Sequence, residues 1–361
     1  MCSNIFALLI ASALALSSSG AVAGGPTGIY VSAGPTTATR DSVDSSYGAL
    51  DFVEGVLVRI GWNEIETAPG VYDWSALDRQ FQLAGDLGLK VSLGVINGKE
   101  SPSWLADQGT AFFEYELPPQ LGGTTEQLPL PWDANYLDRW EGFVAKLGER
   151  YSGNDLLSLV HITHSSANGF EMPLPSTPAS VAAWDQVGYT VDLHAGAIER
   201  VIDAFDAAFP ETPLDLEVHP VLGDDAVAQR VVAYANGTNR ASGPIGERFG
   251  VLSAWWSEHN ADDVYPGAYE LLQNQADATF STVQLVASAT SRPEAYGEGG
   301  LSGSLDRAFD DGVRYFEVWH NDVLNPTFQP TLRELQTRLV PEPSAAVIAL
   351  TALPLAVGRR Q

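Results

Sequence analysis

Eight short runs rich in Val, Ile, Leu and aromatic residues recur along the 361-residue chain, and most are followed by a polar loop and then a stretch of helical periodicity. The runs cover residues 28–32, 55–61, 90–95, 157–162, 214–219, 250–255, 282–287 and 314–319. Several are nearly continuous in apolar residues rather than alternating, as strands covered on both faces require, and such strands pair in parallel through crossover helices. The helices are predicted at 74–87, 133–151, 195–209, 225–234, 267–275, 304–311 and 331–339. In the first, Leu77, Phe81 and Ala84 share a face; in the second, Leu137, Trp140, Val144 and Leu147 do, with Asp133 as N-cap. Eight strands alternating with helices predict a single-domain (β/α)8 barrel whose chemistry stands at the carboxyl ends of the strands. An open doubly wound sheet is the competing arrangement, but no G-x-G-x-x-G or Walker sequence opens a helix.

Composition narrows the function. With 19 Lys+Arg against 45 Asp+Glu, a net charge of -26, the chain repels nucleic acid. The one cysteine, Cys2, precedes an apolar run at 5–16 that ends in Ser17-Ser18-Ser19-Gly20-Ala21-Val22-Ala23, a small-residue site that a signal peptidase accepts. Cleavage after Ala23 would leave a chain without a thiol, excluding disulfides, cysteine nucleophiles and Cys-ligated metals. No organic cofactor is implied.

At the other end Val340-Pro341-Glu342-Pro343 precedes an apolar stretch from 345 to 357 and then Arg359-Arg360. This order resembles the PEP-CTERM sorting signal. The resemblance implies a tail, 340–361, that associates transiently with the membrane until an exosortase-type enzyme processes it, in a Gram-negative cell that exports the protein to its surface or beyond. The working domain is then 24–339.

After the second strand the chain reads Trp62-Asn63-Glu64-Ile65-Glu66, then Pro69-Gly70-Val71-Tyr72-Asp73-Trp74; after the third comes Pro102-Ser103-Trp104-Leu105. These passages resemble the clan A glycoside hydrolases, in particular the beta-galactosidase-like members, over roughly residues 50–105. The resemblance implies a poly- or oligosaccharide substrate and retaining chemistry on two carboxylates, an acid/base after strand four and a nucleophile after strand seven. Glu171 is the acid/base candidate, although Phe170 rather than Asn precedes it and Asn168 lies three positions back. Strand seven offers no glutamate at its end, and Glu317, counted on strand eight, is the substitute nucleophile. Trp62, Glu64, Trp104, His164, Asn168, Glu217, Trp256, Glu258 and Trp319 fall near strand ends, where indoles can stack on sugar rings and polar groups can meet hydroxyls.

Two other readings follow from the same residues. A non-catalytic carbohydrate-binding or surface-matrix protein would keep the barrel and lack the nucleophile. A metal-dependent hydrolase could draw on His164, His219, His259 and His320 with Asp224, Asp262 or Asp322, but no H-E-x-x-H helix or paired histidine on the first strand supports it.

Overall fold

The computed structural model describes residues 25–117 and 122–340. The segment read as export signal, and the sorting tail apart from Val340, lie outside the described residues. Eight parallel strands close into a barrel: β1 (Gly28–Ser32), β2 (Gly55–Gly61), β3 (Lys90–Ile96), β4 (Leu157–Ile162), β5 (Leu214–Glu217), β6 (Phe249–Trp256), β7 (Phe280–Leu285) and β8 (Tyr315–Trp319). Each strand neighbours the next in sequence, and β8 closes on β1 through Gly28 opposite Tyr315. The strands agree with the sequence reading to within two residues at each end.

Helices α1 (Ser75–Asp86), α2 (Ala134–Tyr151), α3 (Pro178–Gln186), α4 (Val191–Ala208), α5 (Ala226–Ala235), α6 (Pro266–Ala278), α7 (Gly300–Asp310) and α8 (Gln329–Leu339) cover the barrel. Three elements depart from the expectation of plain loops. One is α3, begun by Pro178 and capped by Thr177 Oγ1, which accepts from Ser180 N at 3.1 Å. The others are the hairpins Glu66–Ala68 with Val71–Tyr72 and Phe112–Glu116 with Thr125–Pro129. The period-two alternation of Phe113 and Tyr115 in, Glu114 and Glu116 out, carries the second hairpin. Between β1 and β2 a 3-10 turn (Ser45–Ala49) stands in place of a helix.

Asp133 caps α2 as its sequence position suggests: Oδ1 accepts from Tyr136 N at 2.9 Å, while Oδ2 accepts from Ala111 N at 3.2 Å and ties the hairpin to the helix. Asp133→Ala is expected to cost about 1–2 kcal/mol in urea unfolding. A loss below a few tenths would mean the cap is idle.

Side chains fill the barrel in layers. Tyr30, Leu159, Phe280 and Tyr315 form an apolar floor, with the Tyr30 and Tyr315 ring centroids 4.4 Å apart. Gly55 and Gly250 make room for it, since a Cβ there would meet the Tyr30 ring at 2.3 Å and the Phe280 ring at 2.2 Å. Nearer the mouth Leu57, Leu252 and the loop residue Phe170 form a second apolar cluster. Charged groups lie between these apolar surfaces.

Candidate functional site

Strand alternation turns Leu57 and Arg59 of β2, His161 of β4, Asp215 and Glu217 of β5, Thr282 and Gln284 of β7, and Glu317 and Trp319 of β8 toward one axis. Their contacts form a chain across the barrel. Thr282 Oγ1 donates to Asp215 Oδ2 at 2.5 Å, and His161 Nδ1 donates to Asp215 Oδ1 at 2.7 Å. His161 Nε2 stands 3.3 Å from Glu317 Oε1. That carboxylate accepts from Gln284 Nε2 at 2.6 Å and from the Tyr315 hydroxyl at 2.8 Å. Asp215 and Glu317 are both 0% exposed and His161 is 2% exposed. Burial alone would lower the His161 pKa, but the Asp215 and Glu317 carboxylates outweigh it and raise the imidazole to about 10, so it is a cation between two anions.

Arg59 lies above this chain. Its Nη2 donates to Ala33 O at 2.6 Å, and its guanidinium lies over the rings of Phe170 at 5.5 Å and Trp319 at 5.8 Å. Burial lowers its pKa, and the Glu317 and Glu171 charges pull it back up.

A loop at 163–175 carries the remaining acid. Asn168 Oδ1 accepts from Phe170 N at 3.0 Å and Glu171 N at 2.8 Å, fixing the turn. Met172 N donates to Glu217 Oε2 at 2.6 Å, and Glu217 Oε1 accepts from His219 Nδ1 at 2.5 Å. The half-buried Glu171 carboxyl is pushed up by burial and then by the Glu217 charge, against the opposing pull of His219. For His219 burial lowers the pKa, but Glu217 and then Glu171 raise it overall. A carboxyl with a raised pKa is a proton donor, which is what a leaving glycosidic oxygen needs.

Of the carboxylates read as a catalytic pair, then, Glu171 is half-buried and Glu317 is enclosed. The numbering of the strands is as expected: 280–285 is the seventh, its mouth-side polar residue is Gln284, and no carboxylate occurs from Leu285 to Arg292. The loop that follows is held by Asp322, which accepts from Ser288 Oγ, Ala289 N and Thr290 N at 2.8 to 2.9 Å.

Two indoles read as cleft walls are core residues. Trp62 is 0% exposed, packed on Trp140 and Phe143. Trp256 is also 0% exposed and donates to Ser304 O. A strand-end position does not make a residue face the axis when the chain has already turned into a helix, as at Trp62, or carries the irregular pairing seen between Ser253 and Trp256. The motif glutamate Glu66 is a structural staple: it accepts from Trp62 Nε1 and from Gly70 N, both at 2.8 Å, joining the indole to the Pro69-Gly70 turn. Trp104 is half-buried and donates to Glu66 O. Glu64 is exposed and accepts from Ala38 N. His164 is buried against His194 of α4, and Glu258 lies over Gly299 and Gly303 at the start of α7.

Trp319 remains at the rim, its Nε1 donating to Leu285 O at 2.6 Å. It lines a cleft of about 370 Å³ with Ser32, Asp44, Tyr47, His320 and Asn321, in which Tyr47 Oη and His320 Nδ1 are 2.7 Å apart. Hydrogen bonds from Ser46 hold the Asp44 carboxyl below the usual carboxylate range. Among the described residues no group of three or more His, Cys, Asp or Glu is arranged to hold a metal ion.

The family model described as beta-galactosidase matches residues 50–169, from just before β2 into the loop that carries Glu171. No curated protein matches the chain. Among solved structures, the catalytic domain of a beta-amylase from Paenibacillus polymyxa superposes with a TM-score of 0.58 at 11% identity, covering 88% of this chain and all of that one. A structure described only as a glycoside hydrolase gives 0.53 at 10% identity, covering 86% of this chain and 99% of that one. A beta-galactosidase from the psychrophilic Marinomonas ef1 gives 0.50 at 12% identity over 90% of this chain, which spans 60% of that enzyme. At these identities the superpositions speak to architecture, and the sequence likeness is confined to one stretch: the chain is a glycosidase-like (β/α)8 barrel whose match to beta-galactosidases lies in residues 50–169.

Proposed function

We propose that this protein is an exported carbohydrate-binding barrel that holds a poly- or oligosaccharide at its rim without turning it over by a two-carboxylate mechanism. The observation that carries this reading is the enclosure of Glu317, with hydrogen bonds to both of its oxygens, together with a seventh strand whose mouth-side polar residue is Gln284 rather than a carboxylate. Retention needs a second carboxylate reaching the sugar about 5–5.5 Å from the acid, and Glu171 has no such partner opening on the cleft from β7 or β8. The rim supplies what sugar recognition uses: an indole face at Trp319, the Tyr47 and His320 pair, and the Asp44 carboxylate. Export and exosortase handling belong to the same proposal and rest on the two terminal segments of the sequence.

A second reading keeps hydrolysis, with Glu171 donating a proton to the leaving oxygen. It is favoured by the raised Glu171 pKa beside Glu217. One experiment separates the two: glycan-array screening followed by calorimetry and reducing-end assays on the best binder. The binding reading expects no release of reducing ends and at least a tenfold loss of affinity in Trp319→Ala. Release of reducing ends that Glu171→Gln abolishes would replace it with the hydrolase.

A further inference from the structure

We propose that Phe170 is a plug: its ring fills a polar subsite that the barrel builds from Arg59, His161 and Glu317, a place that a hydroxyl-bearing sugar unit would take with the ring out. The choice of a sugar as occupant rests on the carbohydrate reading above; the plug itself rests on the packing.

Phe170 is 5% exposed and rests on Leu57 and Leu252. Its ring meets the Arg59 guanidinium at 5.5 Å and the His161 ring at 5.2 Å, edge to face. Those two side chains carry buried nitrogens, Arg59 Nε and His161 Nε2, with no hydrogen-bond partner. The second is 3.3 Å from Glu317 Oε1, but out of line for a hydrogen bond. Buried N–H groups are nearly always paired, and an aromatic ring compensates them only weakly. Here one nitrogen without a partner and one held only by an off-axis ion-pair contact belong to side chains packed on one ring, with an anionic acceptor beside them. Donors flanking a carboxylate can engage both the lone pairs and the proton of a sugar hydroxyl.

The ring is accommodated by design of the backbone, because a Cβ on Gly94 would meet it at 2.5 Å. The loop does not depend on the ring for its course. Asn97 N donates to Gly169 O at 3.0 Å, Ala167 N to Pro173 O at 2.9 Å and Met172 N to Glu217. Truncating Phe170 should therefore open the subsite and leave the loop in place.

The test is carboxyl labelling of the purified protein with a water-soluble carbodiimide and glycine ethyl ester, read by peptide mass mapping, for wild type, Phe170→Ala and Phe170→Leu. The plug predicts that Glu317 labelling rises at least tenfold in Phe170→Ala and by less in Phe170→Leu, while Asp215, on the far side of His161, stays unlabelled. If Phe170→Ala labels Asp215 as well, it has unfolded, and Phe170→Leu decides. Glu317 that labels in wild type as fast as the exposed Glu64, or stays inert in the folded variants, overturns the plug whatever the protein binds. Methyl glucoside and methyl galactoside are then added to the opened variant. Protection of Glu317 by either supports a sugar as occupant; labelling that neither slows keeps the plug and rejects the sugar. Glycan binding at the wild-type rim, measured separately, decides the carbohydrate reading by itself.

Discussion

Replacing His161 by alanine is expected to lower the unfolding free energy by about 3–5 kcal/mol, because it leaves two fully buried carboxylates, Asp215 and Glu317, facing each other without their cation. In melting temperature this is a fall on the order of 5–10 °C. The same residue sets an alkaline limit. Its folded pKa, about 10, lies above the ordinary histidine value of about 6.5. The contribution is thus complete below about pH 6.5 and is lost as pH rises toward 10. Urea unfolding at pH 7 and pH 9.5 should show wild type losing stability with rising pH and His161→Ala losing much less. A variant within 1 kcal/mol of wild type at pH 7 would mean that the ion chain is not held as described.

His194 should produce the opposite limb. It is 0% exposed, with neither ring nitrogen partnered, and packs at 5.8 Å against His164, itself 5% exposed. Burial lowers both pKa values, His164 to about 4 and His194 well below its ordinary value, the latter also by the charge of His164. The unfolded imidazoles take protons near pH 6.5 and the folded ones do not. Stability should fall as pH drops from about 6.5 toward 4, by about 1.4 kcal/mol per unit for each histidine. His194→Leu removes one such group and an unmet hydrogen-bonding need. We expect it to be neutral or stabilising at pH 7, and more stable than wild type by at least 1 kcal/mol at pH 5. Parallel pH profiles for the two proteins would contradict this.

The two histidine environments show where sequence stops informing. Nothing in Leu157-Ser158-Leu159-Val160-His161 tells whether the histidine faces water, a helix or a carboxylate 54 positions later. The same holds for Glu317, which as a glutamate near a strand end looked available for chemistry; its burial and the hydrogen bonds from Gln284, 33 positions earlier, and Tyr315 come from the assembled barrel. The paired strands Phe112–Glu116 and Thr125–Pro129 were legible in principle, since Phe113 and Tyr115 alternate with glutamates. Trp62 and Trp256 could not be sorted from Trp319, because the difference lies in a one-turn helix after β2 and an irregularity in β6.

The eight strands and the order of the barrel were determined by the sequence itself, because apolar runs and helical periodicity are local consequences of which faces must be buried. The W-x-x-I-E and Pro-Gly residues were legible for the same reason, as Glu66 closes a contact only four residues long on either side. Which carboxylates meet solvent was decided only in the tertiary structure. That outcome depends on side chains from β4, β5, β7, β8 and the loop at 163–175 converging on one axis, and a pairing across more than a hundred residues leaves no periodic trace in any of the segments that make it.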